Sequence, residues 1–259
     1  MTLNSIDWAI DIVAKSSIVH REVYKAGTDT FTLFRREKTI TDDGTALQVP
    51  IVSGGSFRGV LRRIGEELTA AILGYDEDGA LPVPAAHLLT NGGRLAKSAN
   101  PFTDEDERHL KSLLPQVAVF GGSASGRIME GLLAAGNCVP EVAETAHMLY
   151  RDPQSPLLPA VRVLADESFT HLSDHRTSTG QAPHTDINEN TSPLGRFGVE
   201  TLPAGTRLQT WVRLRHATDH QAAFVRDILN TFATHGHLGG RIGSSPWTWC
   251  TTSSCDSSM

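Results

Sequence analysis

A short segment at residues 51–62 combines residue types that can hold a phosphate group. It reads Ile-Val-Ser-Gly-Gly-Ser-Phe-Arg-Gly-Val-Leu-Arg, and the apolar spacing that follows predicts a helix ending at Gly74. The first N–H groups and the positive dipole end of a helix attract anions. Arg58 and Arg62 lie four residues apart and would add charge to one face. A serine N-cap on an amphipathic helix with solvated arginines explains the same residues, and the local pattern alone favours this simpler interpretation.

Two later segments offer groups of the same kind. Residues 238–243 read Leu-Gly-Gly-Arg-Ile-Gly, which suits either an anion-binding loop or a plain glycine turn after a helix. Residues 175–198 mix histidine, asparagine and arginine with one aromatic side chain. That mixture suits contact with single-stranded RNA, whose sugars, phosphates and bases are all exposed. A surface loop without a ligand is the alternative.

The sequence contains no recognisable catalytic or metal-binding pattern. His171, His175 and His184 are spaced unlike any common metal site. The serines of residues 122–126 do not follow the G-x-S-x-G pattern of a nucleophile elbow. Because none of the three cysteines forms a CxxC pair, a zinc knuckle is not expected. We therefore expect no catalytic residue, no metal and no cofactor.

The composition describes an acidic protein of ordinary globular character. The 259 residues carry a net charge of -6 and suit one large domain, or one core with insertions. A free nucleic-acid binder is usually basic, but the local sign of the charge decides whether a phosphate backbone can dock. Basic residues cluster at Arg35, Arg36 and Lys38, and again at Arg58, Arg62 and Arg63. The sparse cysteines and the lack of a bilayer-spanning apolar run predict a cytoplasmic protein with no membrane partner.

The elements that would position these groups follow a split β-α-β order. Alternating apolar residues predict strands at 6–12 and 206–214, and helical spacing predicts helices at 54–74 and 221–234. Residues 15–48 are interpreted as a long loop, and further strand-like segments are expected near 127–133, 161–164 and 246–249. This order predicts an α+β protein with a ferredoxin-like or RNA-recognition-type sheet and helices on one face.

Taken in order, these segments resemble the RAMP superfamily of CRISPR proteins. The likeness is strongest to the backbone subunits that form a helical filament along guide RNA. Residues 51–62 resemble the family's glycine–serine segment, with Ser53 in place of the usual proline. Residues 119–121, 201–205 and 238–243 resemble its Phe-Gly segment, its Leu-Pro-Ala-Gly turn and its final Leu-Gly-Gly. The likeness spans residues 6–249; a type IV backbone subunit fits best and type III second.

The resemblance implies a modified ferredoxin-like palm carrying two inserted parts. The palm would comprise residues 1–74, 117–171 and 200–250. A finger-like insertion would occupy residues 75–116, a thumb hairpin residues 172–199, and a flexible tail residues 251–259.

The resemblance also implies a function without catalysis. Such a subunit binds guide RNA (crRNA) in a sequence-tolerant way, and copies of it assemble head-to-tail along the RNA. It joins other CRISPR effector subunits in a ribonucleoprotein of antiviral defence, where the target nucleic acid is recognised by pairing with the guide. The residues expected to contact RNA are Arg35, Arg36, Lys38, Gly54, Gly55, Ser56, Arg58, Arg62, His175, Arg176, Arg196, Phe197 and Arg241.

A RAMP endoribonuclease that cuts target RNA or processes guide precursors is the alternative. In type III relatives a loop aspartate cleaves the target. The equivalent place here, residues 36–39, contains no aspartate, and Asp29, Asp42 and Asp43 are the nearby candidates. The resemblance therefore favours a protein that is not an enzyme.

Overall fold

The computed structural model describes residues 3–22, 27–28, 30–75, 81, 83–93, 102–172, 194–239 and 249–255. In chain order the first elements are β1 (Asn4–Val13), β2 (Gly27–Thr28), β3 (Phe31–Thr32), β4 (Arg36–Ile40) and β5 (Ala46–Pro50). They are followed by α1 (Gly54–Leu73), α2 (Val83–Asn91), α3 (Asp104–Leu113) and α4 (Pro115–Phe120).

The second half of the chain is richer in strands. It contains β6 (Gly122–Ala124), β7 (Arg127–Met129), β8 (Leu133–Ala135), β9 (Val139–Pro140), a 3-10 helix (Ala143–Met148) and α5 (Ala160–Val163). The last elements are β10 (Ala165–Leu172), β11 (Leu194–Thr201), β12 (Arg207–Ala217), α6 (Asp219–His235) and β13 (Trp249–Cys255).

The central sheet has the strand order β13-β1-β12-β8, and all neighbouring strands are antiparallel. In consequence, β1 and β8 are parallel to each other, with β12 between them. Likewise, β12 and β13 are parallel to each other, with β1 between them. Helix α1 connects the first pair along the chain and α6 connects the second. Two interleaved β-α-β units of this kind define the ferredoxin-like arrangement. The predicted α+β, ferredoxin-like fold is confirmed.

The main core lies between this sheet and the helices α1 and α6. Alternate side chains of β1 and β12 point into it, because successive residues of a strand face opposite sides of the sheet. Ile10, Ile12 and Leu214 are among those with no exposed surface. Phe57 of α1 meets Phe232 of α6 edge to face, with ring centroids 5.2 Å apart.

Helix α1 begins and ends at the residues that the sequence indicates. Ser53 is the N-cap, and its side chain accepts a hydrogen bond from the N–H of Ser56. Gly74 ends the helix with φ +67, a left-handed conformation that glycine adopts without strain. The predicted helix at 54–74 is therefore confirmed.

The two segments expected to be insertions contain regular elements outside the central sheet. The expected finger-like segment, 75–116, contains α2 and α3, and Leu88 and Leu89 of α2 pack with Val117 and Met129 in a small second core. At the expected thumb hairpin, β10 and β11 pair antiparallel, from Ala165 opposite Thr201 to Leu172 opposite Leu194. Residues 173–193 lie outside the described residues.

Some local predictions were wrong. Residues 160–163 form a helical turn instead of a strand, because a short apolar run does not distinguish the two. The segment near 127–133 divides into β7 and β8, and the long loop at 15–48 contains the β4–β5 hairpin. The expected tail begins as a strand, since β13 extends to Cys255 and pairs with β1. No helix among the described residues is both long and apolar enough to cross a membrane.

The two glycines that begin α1 are predicted to differ in their tolerance of alanine. A Cβ at Gly54 would lie 2.5 Å from the carbonyl oxygen of Ala135, whereas a Cβ at Gly55 would meet nothing within 4 Å. We expect Gly54→Ala to lower the free energy of unfolding by roughly 1–3 kcal/mol through overpacking. Gly55→Ala should be neutral or stabilise by up to about 1 kcal/mol. Thermal unfolding followed by circular dichroism measures both; equal melting temperatures would contradict this prediction.

Candidate nucleic-acid interface

The N-terminal half of α1 forms one wall of a cleft of about 580 Å³, here called the α1 cleft. Its lining includes His20, Gly55, Ser56, Arg58, Arg62 and Arg63. Four of the residues that the sequence predicts to contact RNA, namely Gly55, Ser56, Arg58 and Arg62, therefore lie together. His20 and Arg63, which are not among the predicted RNA contacts, also line this cleft.

The start of α1 offers one backbone N–H group to a ligand. The N–H of Gly54 donates to Oδ1 of Asn137 at 2.8 Å, and the N–H groups of Ser56 and Phe57 donate to Ser53. Only the N–H of Gly55 in this first turn has no partner among the described residues, and Gly55 is exposed. Gly54 is buried and its N–H is used by Asn137, so it offers no free backbone donor to a ligand.

Asn137 connects the start of α1 to the β4–β5 hairpin. Its Nδ2 donates to Oε2 of Glu37 at 2.9 Å, and Glu37 forms an ion pair with Arg35 at 3.2 Å. Arg36 forms an ion pair with Glu200 at 2.7 Å. The charges of Arg35 and Arg36 are thus compensated within the fold, and Lys38 is the exposed member of this basic cluster.

Arg62 is a buried residue with only 7% of its surface exposed. Its guanidinium donates to the carbonyl oxygens of Leu88 (2.7 Å) and Leu89 (3.4 Å) in α2. It also donates to those of Phe120 (3.2 Å) and Gly121 (2.9 Å), at the end of α4. The sequence predicts a direct RNA contact, but these donors are already used. In the structure, Arg62 holds α2 and α4 against α1, and it also lines the cleft.

Arg58 lies beside Arg62 and is half-buried. Its guanidinium donates to the carbonyl oxygens of Phe120 at 2.7 Å and Leu133 at 3.2 Å. Both guanidinium groups also approach the Phe120 ring, 5.6 and 5.9 Å from its centroid. Within the described part of the chain, no carboxylate pairs with either arginine.

The two arginines keep their charge at neutral pH. Burial, and then the charge of Arg58, lowers the pKa of the Arg62 guanidinium to about 10. Burial also lowers the pKa of the Arg58 guanidinium. Two uncompensated positive charges therefore share one wall of the cleft, with exposed Arg63 one residue further along α1. Such an arrangement favours an anionic ligand.

His20 joins the cleft from a distant part of the chain. Its Nε2 accepts a hydrogen bond from the N–H of Ser53 at 3.2 Å. Burial, followed by the charge of Arg35, lowers the pKa of the His20 imidazole from 6.5, while Glu22 and Glu37 act in the opposite direction. His20 is therefore neutral at pH 7.

The remaining predicted contacts lie elsewhere. Phe197 stacks on Phe169 across the β10–β11 hairpin, with ring centroids 5.9 Å apart, and both rings are exposed. Arg196 belongs to β11. His175, Arg176 and Arg241 lie outside the described residues. Among the described residues, no group of histidine, cysteine and carboxylate side chains could hold a metal ion.

The predicted RNA contacts did not include Arg63 and His20, which line the cleft, or Asn137, which binds the start of α1. Arg63 shares a helical face with Ser56 and Gly59, so their spacing of three and four residues could have found it. His20 and Asn137 reach the helix start from positions 33 and 83 residues away along the chain. No local pattern indicates such contacts.

Replacing Arg62 by alanine is predicted to destabilise the protein strongly. Four backbone carbonyl groups would each lose a hydrogen bond, although those of Phe120 and Leu89 keep donors in Arg58 and Gln116. We expect a cost on the order of 3 kcal/mol in total, or roughly 6–12 °C in melting temperature. Arg63→Ala is the matched control, because that neighbouring arginine is exposed and should change stability little. Thermal unfolding compares the two variants. A parent-like melting temperature for Arg62→Ala would contradict the structural role.

Comparison with known proteins shows which family the chain resembles. No family model matches the chain, and no curated protein matches it. A chain of a solved type IV-B CRISPR complex is 49% identical, with a TM-score of 0.64. The similarity covers 98% of this chain and 92% of the other. Such identity over almost the full length of both chains shows common family membership. The chain therefore belongs to the family of type IV CRISPR effector subunits.

Proposed function

We propose that this chain is a backbone subunit that binds guide RNA in the α1 cleft and assembles along it, without catalysing a reaction. The observation that carries the proposal is the pair of guanidinium groups, Arg58 and Arg62, that lack a carboxylate partner among the described residues. A phosphate backbone supplies the negative charge that this wall of the cleft lacks.

The shape of the helix supports contact with a nucleic-acid backbone. Gly55 and Gly59 are both exposed, and a Cβ at either would meet nothing within 4 Å. Without side chains at these positions, a sugar-phosphate strand can approach the helix closely. The N–H of Gly55 and the guanidinium of Arg63 then face the ligand, since both residues line the cleft.

The open face of the central sheet, which lies away from helices α1 and α6, is a weaker candidate site for phosphate than the α1 cleft. Asp7 of β1 forms ion pairs with Arg213 and Arg215 of β12, each at 3.1 Å, and Asp11 forms one with Arg151. Arg213 also lies 5.0 Å from the centre of the Trp211 ring. Because these three arginines already have carboxylate partners, they attract phosphate less than the arginines of the cleft.

The groups in the cleft support binding that is independent of base sequence. Guanidinium, backbone N–H and hydroxyl groups recognise phosphate and sugar, whereas base edges carry the sequence. In this proposal, target recognition comes from pairing between the guide and its target nucleic acid in the cytoplasm.

Assembly into a filament requires contacts between unlike surfaces of successive copies. The first turn of α3 exposes Glu105 and Asp106, while Asp104 and Glu107 pair with Arg127 of the same chain. We propose that this acidic end meets a basic surface of the next copy. The same subunit would also contact the other members of the complex.

The geometry around Asp43 and His20 supports a role without catalysis. Asp43 accepts hydrogen bonds from Thr41 and Thr45, which fit a turn-stabilising role between β4 and β5. The Nε2 lone pair of His20 is used by Ser53, so it is not free to act as a general base. Asp29 lies outside the described residues.

Removing a cleft arginine is predicted to weaken RNA binding in a salt-dependent way. Arg63→Ala should lower the affinity for single-stranded RNA and reduce the slope of log K against log salt by about 0.7, since one phosphate contact is lost. Arg226→Ala is the matched control, because Arg226 is an exposed arginine of α6 that does not line the cleft. Fluorescence anisotropy at several salt concentrations measures both. Equal affinities and slopes for the two variants would place the RNA elsewhere.

The chain is predicted not to cleave RNA. We expect labelled guide RNA, and target RNA paired to it, to remain intact with the full chain in Mg²⁺, in Mn²⁺ and in EDTA. Denaturing gels provide the measurement. Cleavage that disappears in Asp43→Ala, while RNA binding is retained, would support the endoribonuclease alternative instead.

A further inference from the structure

The hydrogen bond from Ser53 determines which ring nitrogen of His20 carries the proton. Nε2 accepts from the Ser53 N–H, so the neutral ring carries its proton on Nδ1. An edge-to-face contact with Phe34, with ring centroids 6.1 Å apart, holds the ring in place. His20 lines the α1 cleft, and this assignment gives it one uncharged N–H donor there.

Ser56 brings a second uncharged donor to the same place. Ser53 donates its hydroxyl proton to Oγ of Ser56 at 3.0 Å and accepts from the Ser56 N–H, so the Ser56 hydroxyl proton is left to donate. Ser53 contacts both His20 and Ser56, and both of these residues line the cleft. Ser56 is exposed.

The cleft therefore offers two kinds of groups to a ligand. Arg58 and Arg63 suit the charged phosphate oxygens, for which ionised donors are the stronger partners. The pair of uncharged groups, one N–H and one hydroxyl, suits a neutral hydroxyl that can both accept and donate. In a sugar-phosphate strand that group is the ribose 2′-hydroxyl, which RNA has and DNA lacks.

We propose that His20 and Ser56 recognise a ribose 2′-hydroxyl and make the α1 cleft select RNA over DNA of the same sequence. This inference rests on the proposed function, because it assumes that a sugar-phosphate strand occupies the cleft. It assigns the discrimination to two uncharged residues, separately from the arginines that supply affinity.

Binding of matched strands tests the proposal. Fluorescence anisotropy would compare one sequence as single-stranded RNA, DNA and 2′-O-methyl RNA against the full-length chain. We expect the parent to bind RNA at least about tenfold more tightly than DNA, since losing the hydroxyl leaves two polar groups unpaired. The 2′-O-methyl strand, which cannot donate, should bind less tightly than RNA.

The variants separate recognition of the sugar from folding. His20→Leu and Ser56→Ala should each weaken RNA binding about fivefold and leave DNA binding unchanged. His20→Gln should retain the preference, since its amide can accept from Ser53 and still donate. Arg63→Ala should weaken RNA and DNA binding by the same factor. Melting temperatures near that of the parent confirm that each variant is folded.

The outcomes distinguish this inference from the proposed function. Equal losses for RNA and DNA in His20→Leu would show that His20 acts on the phosphates or on the fold, and would overturn the inference. A parent that binds both strands equally would overturn it as well, while leaving the proposed function in place. A parent that binds neither strand would overturn both.

Discussion

The buried guanidinium of Arg62 is the interaction on which the cleft depends. A charged group removed from water must be matched by hydrogen bonds, and Arg62 meets this constraint with four backbone carbonyl oxygens. Those carbonyls belong to α2 and to the end of α4, two segments separated along the chain, so one side chain of α1 fixes both. The packing is close enough that a Cβ at Gly92, with φ +70, would lie 2.6 Å from the guanidinium. The carbonyl groups satisfy the donors but carry no full negative charge, which leaves the positive charge of Arg62 to act on the cleft.

The fold uses most of the groups that the sequence presents as ligands for phosphate. The N–H of Gly54 donates to Asn137, and the N–H groups of Ser56 and Phe57 donate to Ser53. Among the described residues, the first turn of the helix therefore leaves only the Gly55 N–H for a ligand. Arg35 and Arg36 each pair with a glutamate. In the described region, the anion-binding character of the cleft therefore comes from side chains of α1 more than from the helix terminus. A glycine–serine segment at a helix start is therefore not by itself evidence of an anion-binding site.

The parts of the fold that were predictable are those set by local patterns. The alternation in β1 and the helical spacing of α1 reflect burial on one face, and Ser53 and Gly74 mark the helix ends through their own side-chain and backbone chemistry. The burial of Arg62 has no such signal, because its partners are 26 to 59 residues away along the chain. The same holds for β13, which forms only because β1 presents an unpaired edge to it. Long-range partners, which a single sequence does not reveal, decide which polar residues are structural and which remain available.

An acidic protein can still bind a phosphate backbone if its carboxylates are placed away from a few of its cations. On the open face of the sheet, Asp7 and Asp11 of β1 pair with three arginines, which offsets much of their positive charge. In α1, Arg58 and Arg62 lie four residues apart with no acidic residue in the first turn of the helix. Since Coulomb attraction acts over roughly 10 Å at moderate salt, this local excess of positive charge matters more for docking than the net charge of -6. The pairing of each arginine, rather than the total number of arginines, therefore determines where a polyanion can bind.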